Sequence, residues 1–402
     1  MYLKTFIKTE CCACTACEHV CPTKSIYFKF DDEGFKYPEI DKDTCINCGL
    51  CERVCPVETP SYVNLNNPLI YAAKLKDIEQ VKRSTSGGIF YIIAKYIIEK
   101  GGVVYGAAFD KDMRLRHICV EDISDLDLLR GSKYLQSNLE NVFLDIKTQL
   151  KNKQWVYFVG TGCQVAGLKS FLRREYETLI TSDLVCHGVP SQKIFDMHLQ
   201  YLKEKYSASK IIKYQFRDNV RGIGCEIVDL ENSRGRKIRI TNSSYEISPY
   251  LYSFMYSMTL RPSCYECPFA KLPRQGDITL ADYWGAKQFF PKLDITNGVS
   301  LVLLNNDCGI EIWKNIKSNT INIEGNIDEA VMYNGNLVRA SSKPEIRDNI
   351  YEYIKNFGYN SVAKNFFRSP QYWKIRFINL ITYGPIIKHI YSLFTRIKNY
   401  KL

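Results

Sequence analysis

Cysteine is the residue type in this chain whose spacing most directly implies chemistry. Nine of the sixteen cysteines lie between positions 11 and 55, in two copies of the pattern C-x2-C-x2-C-x3-C-P that are offset by 34 residues. Three closely spaced thiolates can wrap one [4Fe–4S] cube, while the fourth lies too far along the chain and crosses to the other cube. The pattern therefore predicts two clusters, one held by Cys11, Cys14, Cys17 and Cys55 and the other by Cys45, Cys48, Cys51 and Cys21.

Two zinc ribbons are the alternative for the same residues, but zinc sites usually show C-x2-C pairs rather than this spacing. The spacing is instead typical of bacterial two-cluster ferredoxins. All eight ligand positions are filled, so no open iron is left for a substrate and the segment is predicted only to carry electrons. Cys12 lies outside the spacing and is expected to be a small packed residue.

Seven further cysteines lie beyond the repeat, and among them only Cys264 and Cys267 form a C-x2-C pair. Two more thiolates would complete a tetrahedral site. Cys163 and Cys186 are the best candidates, because both follow apolar segments and lie in glycine-containing turns. From the residues alone, structural zinc and an iron–sulfur cluster suit this group equally well. The other three show no motif and are expected to be ordinary core or surface thiols: Cys119, Cys225 and Cys308.

Two glycine-rich turns come close to nucleotide-binding motifs and miss them. Gly160-Thr161-Gly162 follows a predicted strand, but Val165 stands where the dinucleotide motif needs its third glycine. Lys169 is one place late for a phosphate-binding P-loop. Cys186 and His187 do not predict a nucleophile with its base, because neighbours on a strand point to opposite faces.

The elements that must position these cysteines are short and alternate along the chain. Residues 25–30 and 35–40 are predicted strands around a turn, and residues 59–68 form a polar linker. Further strands are predicted at 103–109, 155–159, 277–281 and 299–304, with helices over 89–97 and 165–172. The alternation predicts a fold of the α+β or mixed α/β class, with a mixed α/β core behind an N-terminal dicluster module. That module has thin apolar faces, so metal must contribute to its folding.

The composition is that of a soluble globular protein, with 46% hydrophobic and 24% charged residues. No apolar run approaches the ~20 residues of a membrane-spanning helix. The first ten residues lack a secretory pattern, so a reducing cytoplasm is expected. The net charge is +11, but nine lysines or arginines and no acidic residue fall within positions 353–402. The positive charge therefore belongs mostly to the tail and predicts no nucleic-acid partner.

The tail itself mixes apolar and basic residues at helical spacing. Residues 372–400 are predicted to form amphipathic helices, with a break at Gly384-Pro385. Two interpretations stay open. The tail either packs on its own domain, or it contacts an acidic partner or the anionic inner face of a membrane.

Six sequence blocks, taken in order, resemble the coenzyme F420 hydrogenase/dehydrogenase beta subunit family. They are STSGG at 84–88, RGSKYLQS at 130–137, GCQ at 162–164, DLVCHGVP at 183–190, RPSCYECP at 261–268 and GDITLADYW at 276–284. The resemblance implies one FAD and one further [4Fe–4S] cluster, which makes three clusters in all. It also implies the ligands of the third cluster, namely Cys163, Cys186, Cys264 and Cys267. Gly162 stands where the family usually has proline.

By the same resemblance, the flavin lies near the blocks at 84–88 and 132–137. The residue types agree, because hydroxyls and amides before a helix can bind a pyrophosphate. The alternative is that the serines only cap that helix. Lys133 is interpreted either as a positive charge near the flavin or as a solvated lysine. The predicted cofactor-binding residues are Ser84, Thr85, Ser86, Gly87, Gly88, Ser132, Lys133, Tyr134, Gln136, Ser137, Asp277 and Asp282, and no catalytic residue is assigned.

The chain is accordingly divided into a ferredoxin-type domain at 1–62, two family-like domains at 66–150 and 151–345, and a basic tail at 350–402. The expected function is that of an iron–sulfur flavoprotein oxidoreductase that passes electrons between clusters and FAD. It would exchange two electrons with a small organic substrate, F420-like or a surface-polysaccharide intermediate. A protein such as ferredoxin is the expected electron donor or acceptor. The alternative function is an electron-transfer subunit that docks on a separate partner enzyme.

Overall fold

A computed structural model describes residues 1–61, 63–217 and 225–383. Within these residues, no helix is both long enough and apolar enough to cross a membrane. The part of the predicted tail helices that follows residue 383 lies outside the described residues. The chain forms two compact units, one of Met1–Lys193 with Leu260–Lys343 and one of Ile194–Thr259 with Pro344–Leu402. The four-part division predicted from the sequence stays a prediction.

The strands of the described residues form three sheets. In chain order they are β1 (Ile26–Phe30), β2 (Lys36–Ile40), β3 (Leu69–Leu75), β4 (Val103–Phe109), β5 (Leu115–Val120), β6 (Val156–Thr161), β7 (Leu179–Leu184), β8 (Ala208–Gln215), β9 (Glu226–Asn232), β10 (Lys237–Asn242), β11 (Ile278–Asp282), β12 (Ser300–Leu304) and β13 (Thr320–Gly325). β1 pairs with β2, and β10, β9 and β8 form a second sheet in that order. The third sheet has eight strands in the order β13-β3-β12-β11-β7-β6-β4-β5.

The helices alternate with these strands. In the same residues they are α1 (Tyr2–Thr5), α2 (Ala16–Val20), α3 (Leu50–Arg53), α4 (Ile78–Lys82), α5 (Ile89–Glu99), α6 (Leu126–Leu129), α7 (Val142–Lys151), α8 (Gly162–Leu172), α9 (Gln192–Tyr206), α10 (Pro249–Met255), α11 (Ala286–Phe289), α12 (Asp307–Ile316), α13 (Ile327–Tyr333), α14 (Arg347–Phe357), α15 (Tyr359–Asn365) and α16 (Tyr372–Tyr383).

The large sheet is parallel at its centre and antiparallel at its edges. β4, β6, β7 and β11 run parallel to one another, and the outer strands pair antiparallel. Parallel strands are usually buried on both faces, which agrees with the nearly continuous apolar sequences of β4 and β6. The predicted mixed α/β fold is therefore confirmed.

Alternate residues of the central strands enter two different cores. Val104 and Tyr157 pack with residues of α5 and α12, whereas Val103 and Phe158 pack with residues of α7 and α8. Successive side chains of a strand point to opposite faces. Helices therefore cover both sides of the sheet, and α7 and α8 share one side.

The N-terminal module shares the core of α7 and α8. Its hairpin pairs Ile26 with Ile40 around a turn with Gly34 at φ 84°, so the two predicted strands are confirmed. Ala16 and Val54, from the two copies of the repeat, are buried in the same core as α7 and α8. The module thus obtains from these two helices the packing that its own thin faces lack.

The second unit is built around a three-stranded antiparallel sheet and a buried polar cluster. His198 Nε2 lies 2.8 Å from Glu226 Oε1, and His198 Nδ1 lies 3.1 Å from the Tyr359 hydroxyl. The Tyr214 hydroxyl also donates to Glu226, and Asn242 Nδ2 donates to Glu226 Oε2 at 2.6 Å. Burial opposes ionisation of this carboxyl, but His198 and the donors outweigh it and lower the pKa of Glu226 to about 2.

The substitution Glu226→Gln removes the charge while keeping the shape. We expect it to destabilise the protein by about 3 kcal/mol at pH 7, the range found when one partner of a buried pair is lost. The pKa of this carboxyl is lower in the folded chain than its usual ~4.3, so the stabilisation is present above that pH and is lost as the pH falls towards 2. Urea denaturation at several pH values measures the difference. Glu231→Gln, on the same strand, is the control, and an unchanged midpoint in Glu226→Gln at pH 7 would contradict the role of the cluster.

Candidate iron–sulfur and flavin sites

The two cysteine loops of the N-terminal repeat have the same backbone conformation. Positive φ angles occur at Ala13 and Thr15 in the first copy (54° and 65°) and at Asn47 and Gly49 in the second (53° and 69°). These positions correspond at the offset of 34, and each pair brackets the middle cysteine of its loop. Turns of this kind aim successive backbone amides inward, where they stabilise an anionic group.

The first predicted ligand set lines a single cavity. Its wall combines the four cysteines with apolar residues of the module: Cys11, Cys14, Cys17, Cys55, Leu3, Phe28, Pro38 and Val57. Burial raises the pKa of the Cys17 thiol well above its usual value, and the Cys11 and Cys55 thiolates raise it further. Thiolates enclosed in this way need metal cations to balance their charge. The donor set therefore fits a thiolate-bound cluster.

The second predicted set is nearer the surface. Cys48 is exposed, and the other three thiols are half-buried: Cys21, Cys45 and Cys51. Cys21 Sγ accepts the amide N–H of Ser25 at 3.3 Å. Burial opposes this thiolate, but the hydrogen bonds from Thr23 and Ser25 bring the pKa of Cys21 below its usual value. The second set therefore has four thiols, as the first does, but they are more exposed to water.

Cys163 and Cys186 lie just beyond the carboxyl ends of two neighbouring parallel strands. β6 and β7 pair Thr161 with Leu184 at their last positions, and each cysteine follows two residues later. Ligand sites of α/β sheets form at this edge. A capping box between Thr161 and Gln164 begins α8, so Cys163 lies in the first helical turn, where the helix dipole favours a thiolate. The glycine-rich turn is thus a helix cap.

The other two core cysteines join this edge from the turn that follows Leu260. Burial raises the pKa of the Cys186 thiol to about 12, and the Cys163 and Cys267 thiolates raise it further. Burial likewise raises the pKa of Cys264, with the other three core thiolates contributing. The structure therefore brings all four predicted core cysteines together, although they come from three separate segments.

A backbone donor and the buried cation of Arg274 stabilise charge on two of the core thiols. The amide of Gly188 donates to Cys186 Sγ at 3.3 Å. Arg274, which is ion-paired with Asp183 at 2.8 Å, opposes the rise in the pKa of Cys186 and Cys267. These groups stabilise negative charge on sulfur.

The kind of metal that the core thiols can bind depends on how far apart they lie. In the part of the chain that the structure describes, no group of three His, Cys, Asp or Glu side chains is close enough to hold a single metal ion. A cube places four irons between its thiolates, so its ligands stand further apart than those of one zinc ion. For the core cysteines, the choice between mononuclear zinc and a cluster stays a prediction.

The N-terminal module and the core meet at Cys14 and Cys12. A Cβ atom added to Gly167 would lie 2.5 Å from Cys14 Cβ, so this glycine of α8 packs directly on the module. The Cys12 thiol lies within electrostatic range of the thiols of both Cys14 and Cys163. Cys12 is buried, as predicted. Its place between the first and the core ligand sets had no signal in the cysteine spacing.

The two blocks predicted to bind the flavin also meet. Thr85 Oγ1 lies 3.4 Å from Ser132 Oγ. The N-cap of α5 is Gly88, without a side-chain cap bond, so the suggestion that the serines cap this helix is wrong. Ser84 instead donates to the carbonyl of Gln80, four residues earlier, and Ser86 to the carbonyl of Val299. A Cβ atom added to Gly87 would lie 2.2 Å from a carbonyl oxygen of β3, so the loop packs closely against that strand.

Lys133 is engaged with backbone rather than solvated. Its Nζ donates to the carbonyl oxygens of Leu128, Leu129 and Arg130 at 3.3, 2.8 and 2.9 Å. The amine therefore provides donors to the carbonyls at the end of α6, which lack helical partners, and burial lowers its pKa to about 7. Its predicted role near the flavin stays a prediction.

Gln136 and Ser137 lie beside the iron–sulfur residues. Gln136 Nε2 donates to the carbonyl of Cys12 at 3.1 Å. Ser137 Oγ lies 2.8 Å from His117 Nδ1 and accepts a bond from Gln164 Nε2 at 2.9 Å. Burial lowers the pKa of His117 to about 4, so this ring is neutral at pH 7. Binding of the cofactor by Gln136, Ser137 and the neighbouring tyrosine at 134 stays a prediction.

Asp277 is held within the sheet. Its carboxylate accepts bonds from Lys169 Nζ at 3.0 Å, from the Thr181 amide and hydroxyl at 2.7 Å each, and from Asn306 at 2.8 Å. Burial opposes its ionisation, but Lys169 and these donors lower its pKa. Asp282 ends β11 and is half-buried. For both aspartates, contact with a cofactor stays a prediction.

Comparisons with known proteins match two parts of the chain. Residues 10–59 match the 4Fe-4S dicluster domain, and residues 153–329 match the family described as the C terminus of the beta subunit of coenzyme F420 hydrogenase/dehydrogenase. No curated protein matches the chain. A solved structure of the F420-reducing [NiFe] hydrogenase complex from Methanosarcina barkeri, derivatised with xenon, is similar with 18% identity and a TM-score of 0.44, over 73% of this chain and 94% of that chain.

The two family matches identify the chain as an iron–sulfur electron-transfer protein of the oxidoreductase class. Residues 153–329 match the C-terminal model of the coenzyme F420 hydrogenase/dehydrogenase beta subunit family, behind a 4Fe-4S dicluster domain. The resemblance noted in the sequence is therefore confirmed.

The substitution Gly167→Ala tests the contact between module and core. The added methyl group meets Cys14, so we expect a lower melting temperature and less iron per chain after anaerobic reconstitution. The effect should appear although alanine favours a helix over glycine by about 1 kcal/mol. Ser170→Ala, on the same helix and partly exposed, is the control. Full iron content and unchanged melting in Gly167→Ala would contradict this contact.

Proposed function

We propose that this protein is an iron–sulfur flavoenzyme that holds three [4Fe–4S] clusters and one FAD. The observation that carries the proposal is the gathering of four core thiols at one edge of the sheet, against the dicluster domain. The ligands proposed for the third cluster are Cys163, Cys186, Cys264 and Cys267. Cys12 and Gly167 connect this set with the first set of the module.

In this proposal the clusters and FAD exchange electrons, and the protein binds them and stabilises their charge. When bound, clusters exchange single electrons and FAD exchanges one or two, which allows a one-electron carrier to serve an organic substrate. The chain itself partly buries the core thiolates and stabilises their charge with the Gly188 amide and Arg274. The hydroxyls of Thr85 and Ser132, with the amides before α5, provide donors for the FAD pyrophosphate.

The proposed substrate is a small organic molecule that gives or takes two electrons, either coenzyme F420 or a surface-polysaccharide intermediate. A protein such as ferredoxin is the proposed partner at the dicluster domain, whose exposed Cys48 lies at the surface. The proposed location is the cytoplasm. An electron-transfer subunit for a separate enzyme is the second candidate, and it is favoured by the matched family, whose members are described as one subunit of a larger enzyme.

The double substitution Thr85→Val and Ser132→Ala tests the flavin part. It removes two hydroxyls from the meeting point of the two blocks, and hydrogen bonds to charged groups contribute ~1.5–3 kcal/mol each. We expect FAD affinity to fall at least about tenfold, measured as flavin released on denaturation of reconstituted protein. Thr148→Val, an exposed hydroxyl on α7, is the control. Wild-type protein with full iron and no flavin would refute FAD binding and leave the iron–sulfur assignment intact.

Helix α16, which begins the predicted amphipathic part of the tail, supports contact with an anionic membrane surface. One side of α16 packs on its own unit, where Asn379 Oδ1 accepts the Ser243 amide at 2.9 Å. The opposite side exposes a row of large apolar residues: Trp373 (69% exposed), Phe377 (65%), Leu380 (53%) and Ile381 (48%). The last fifty residues carry nine basic and no acidic side chains. Basic amphipathic helices with such a face lie in the headgroup region of anionic bilayers.

Vesicle binding tests this contact. We expect the wild-type protein to sediment with vesicles that contain phosphatidylglycerol. The double substitution Trp373→Ser and Phe377→Ser should weaken binding by about tenfold or more, since each ring contributes ~1.5–3 kcal/mol on burial. Phe357→Ser, an equally exposed ring outside α16 (64% exposed), is the control. Wild-type protein that stays in the supernatant, or equal loss of binding in all variants, would contradict the proposal.

A further inference from the structure

Arg261 is a fully buried cation without a carboxylate partner. It is 1% exposed and the bulkiest of the fully buried side chains. Among the residues that the structure describes, no carboxylate lies within ion-pair distance of it. Other buried arginines do have such partners: Arg274 pairs with Asp183 at 2.8 Å, and Arg130 with Asp127 at 3.3 Å.

Each nitrogen of the Arg261 guanidinium donates to a neutral acceptor of the N-terminal module or the core. Its Nε donates to the carbonyl of Cys11 at 2.7 Å, and Nη2 to the carbonyl of Lys36 at 2.8 Å. Nη1 donates to Gln136 Oε1 at 3.2 Å. Its Cζ lies 4.3 Å from the centre of the Tyr37 ring. These contacts orient the guanidinium firmly, but none of them carries a full negative charge.

The same arginine also begins the turn that bears two core cysteines. The amide of Cys264 donates to the carbonyl of Arg261 at 2.9 Å. The charge of Arg261 lies within electrostatic range of Cys11 from the first set and of Cys163 and Cys264 from the core set, and also of Cys12 between them. Arg261 therefore stands between the first ligand set of the module and the ligand set of the core.

An isolated buried charge is costly. Desolvation of an ion costs several kcal/mol even after the protein relaxes, and hydrogen bonds to neutral groups recover only part of that cost. A cube bound by four cysteinates carries a net negative charge, because the thiolates outweigh the charge of the iron–sulfide core. Two such clusters on either side of Arg261 would supply the missing counter-charge.

We propose that Arg261 is the buried counter-charge shared by the first module cluster and the core cluster, and that it raises the reduction potential of both. The inference rests on the clusters of the proposed function but not on its flavin. A positive charge stabilises the reduced cluster, which carries one more electron, relative to the oxidised one. Arg261 is thus a positioning residue that sets the potentials of two sites together.

Redox titration of reconstituted full-length protein, followed by electron paramagnetic resonance, tests the proposal. In Arg261→Gln we expect the reduction equilibria of two clusters to shift about tenfold or more towards the oxidised form, about 59 mV for a one-electron couple. The second cluster of the module, bound by Cys45, Cys48, Cys51 and Cys21, should keep its potential and serves as an internal reference. Arg261→Lys retains the charge, so its potentials should stay near those of the wild type.

Two further variants keep the test decisive. Gln136→Glu places a carboxylate against Nη1 without removing the arginine, and the same two potentials should fall even if Arg261→Gln fails to fold. Arg53→Gln removes an exposed cation that donates to the carbonyl of Cys48 at 3.2 Å, and solvent screening should leave all potentials nearly unchanged. Unshifted potentials in iron-replete Arg261→Gln, or in Gln136→Glu where Arg261→Gln does not fold, would overturn this inference alone. A wild-type protein that assembles no clusters would overturn the proposed function as well.

Discussion

The relation between the dicluster domain and the core depends on one close contact, where Cys14 lies against the bare backbone of Gly167. Only glycine leaves room for this approach. The same helix carries Cys163 four residues earlier, which is about 6 Å along the helix axis. One rigid element therefore positions a residue of each site, and a helix maintains such a spacing better than a loop does.

The sequence was most informative where geometry is local. Ligation of a cube depends on cysteines a few residues apart, so the spacing alone was enough to predict a dicluster domain, and residues 10–59 match one. The strands of the hairpin and of the sheet centre followed from apolar patterning. The core ligand set is different, because Cys163 and Cys186 are neighbours only through the pairing of β6 with β7. Residue patterns do not specify that pairing, and the grouping had to be taken from the resemblance.

Contacts between distant segments had no signal in the sequence. Gln136 meets the carbonyl of Cys12 across 124 positions, and Arg261 meets Cys11 across 250. Nothing in local composition distinguishes this arginine from a surface one. The capping role considered for the serines before α5 failed for a physical reason, since Gly88 in a left-handed conformation occupies the cap position and the hydroxyls bond elsewhere.

The two cysteine loops of the N-terminal repeat have the same backbone conformation but differ in their exposure to water. At Cys14 the loop is enclosed by protein, whereas at Cys48 it borders water. An extra negative charge is solvated at the outer loop, while at the inner loop it must be compensated by protein groups. The duplication therefore places two loops of like backbone in unlike surroundings, and the surface on which the domain packs is what distinguishes the two sites.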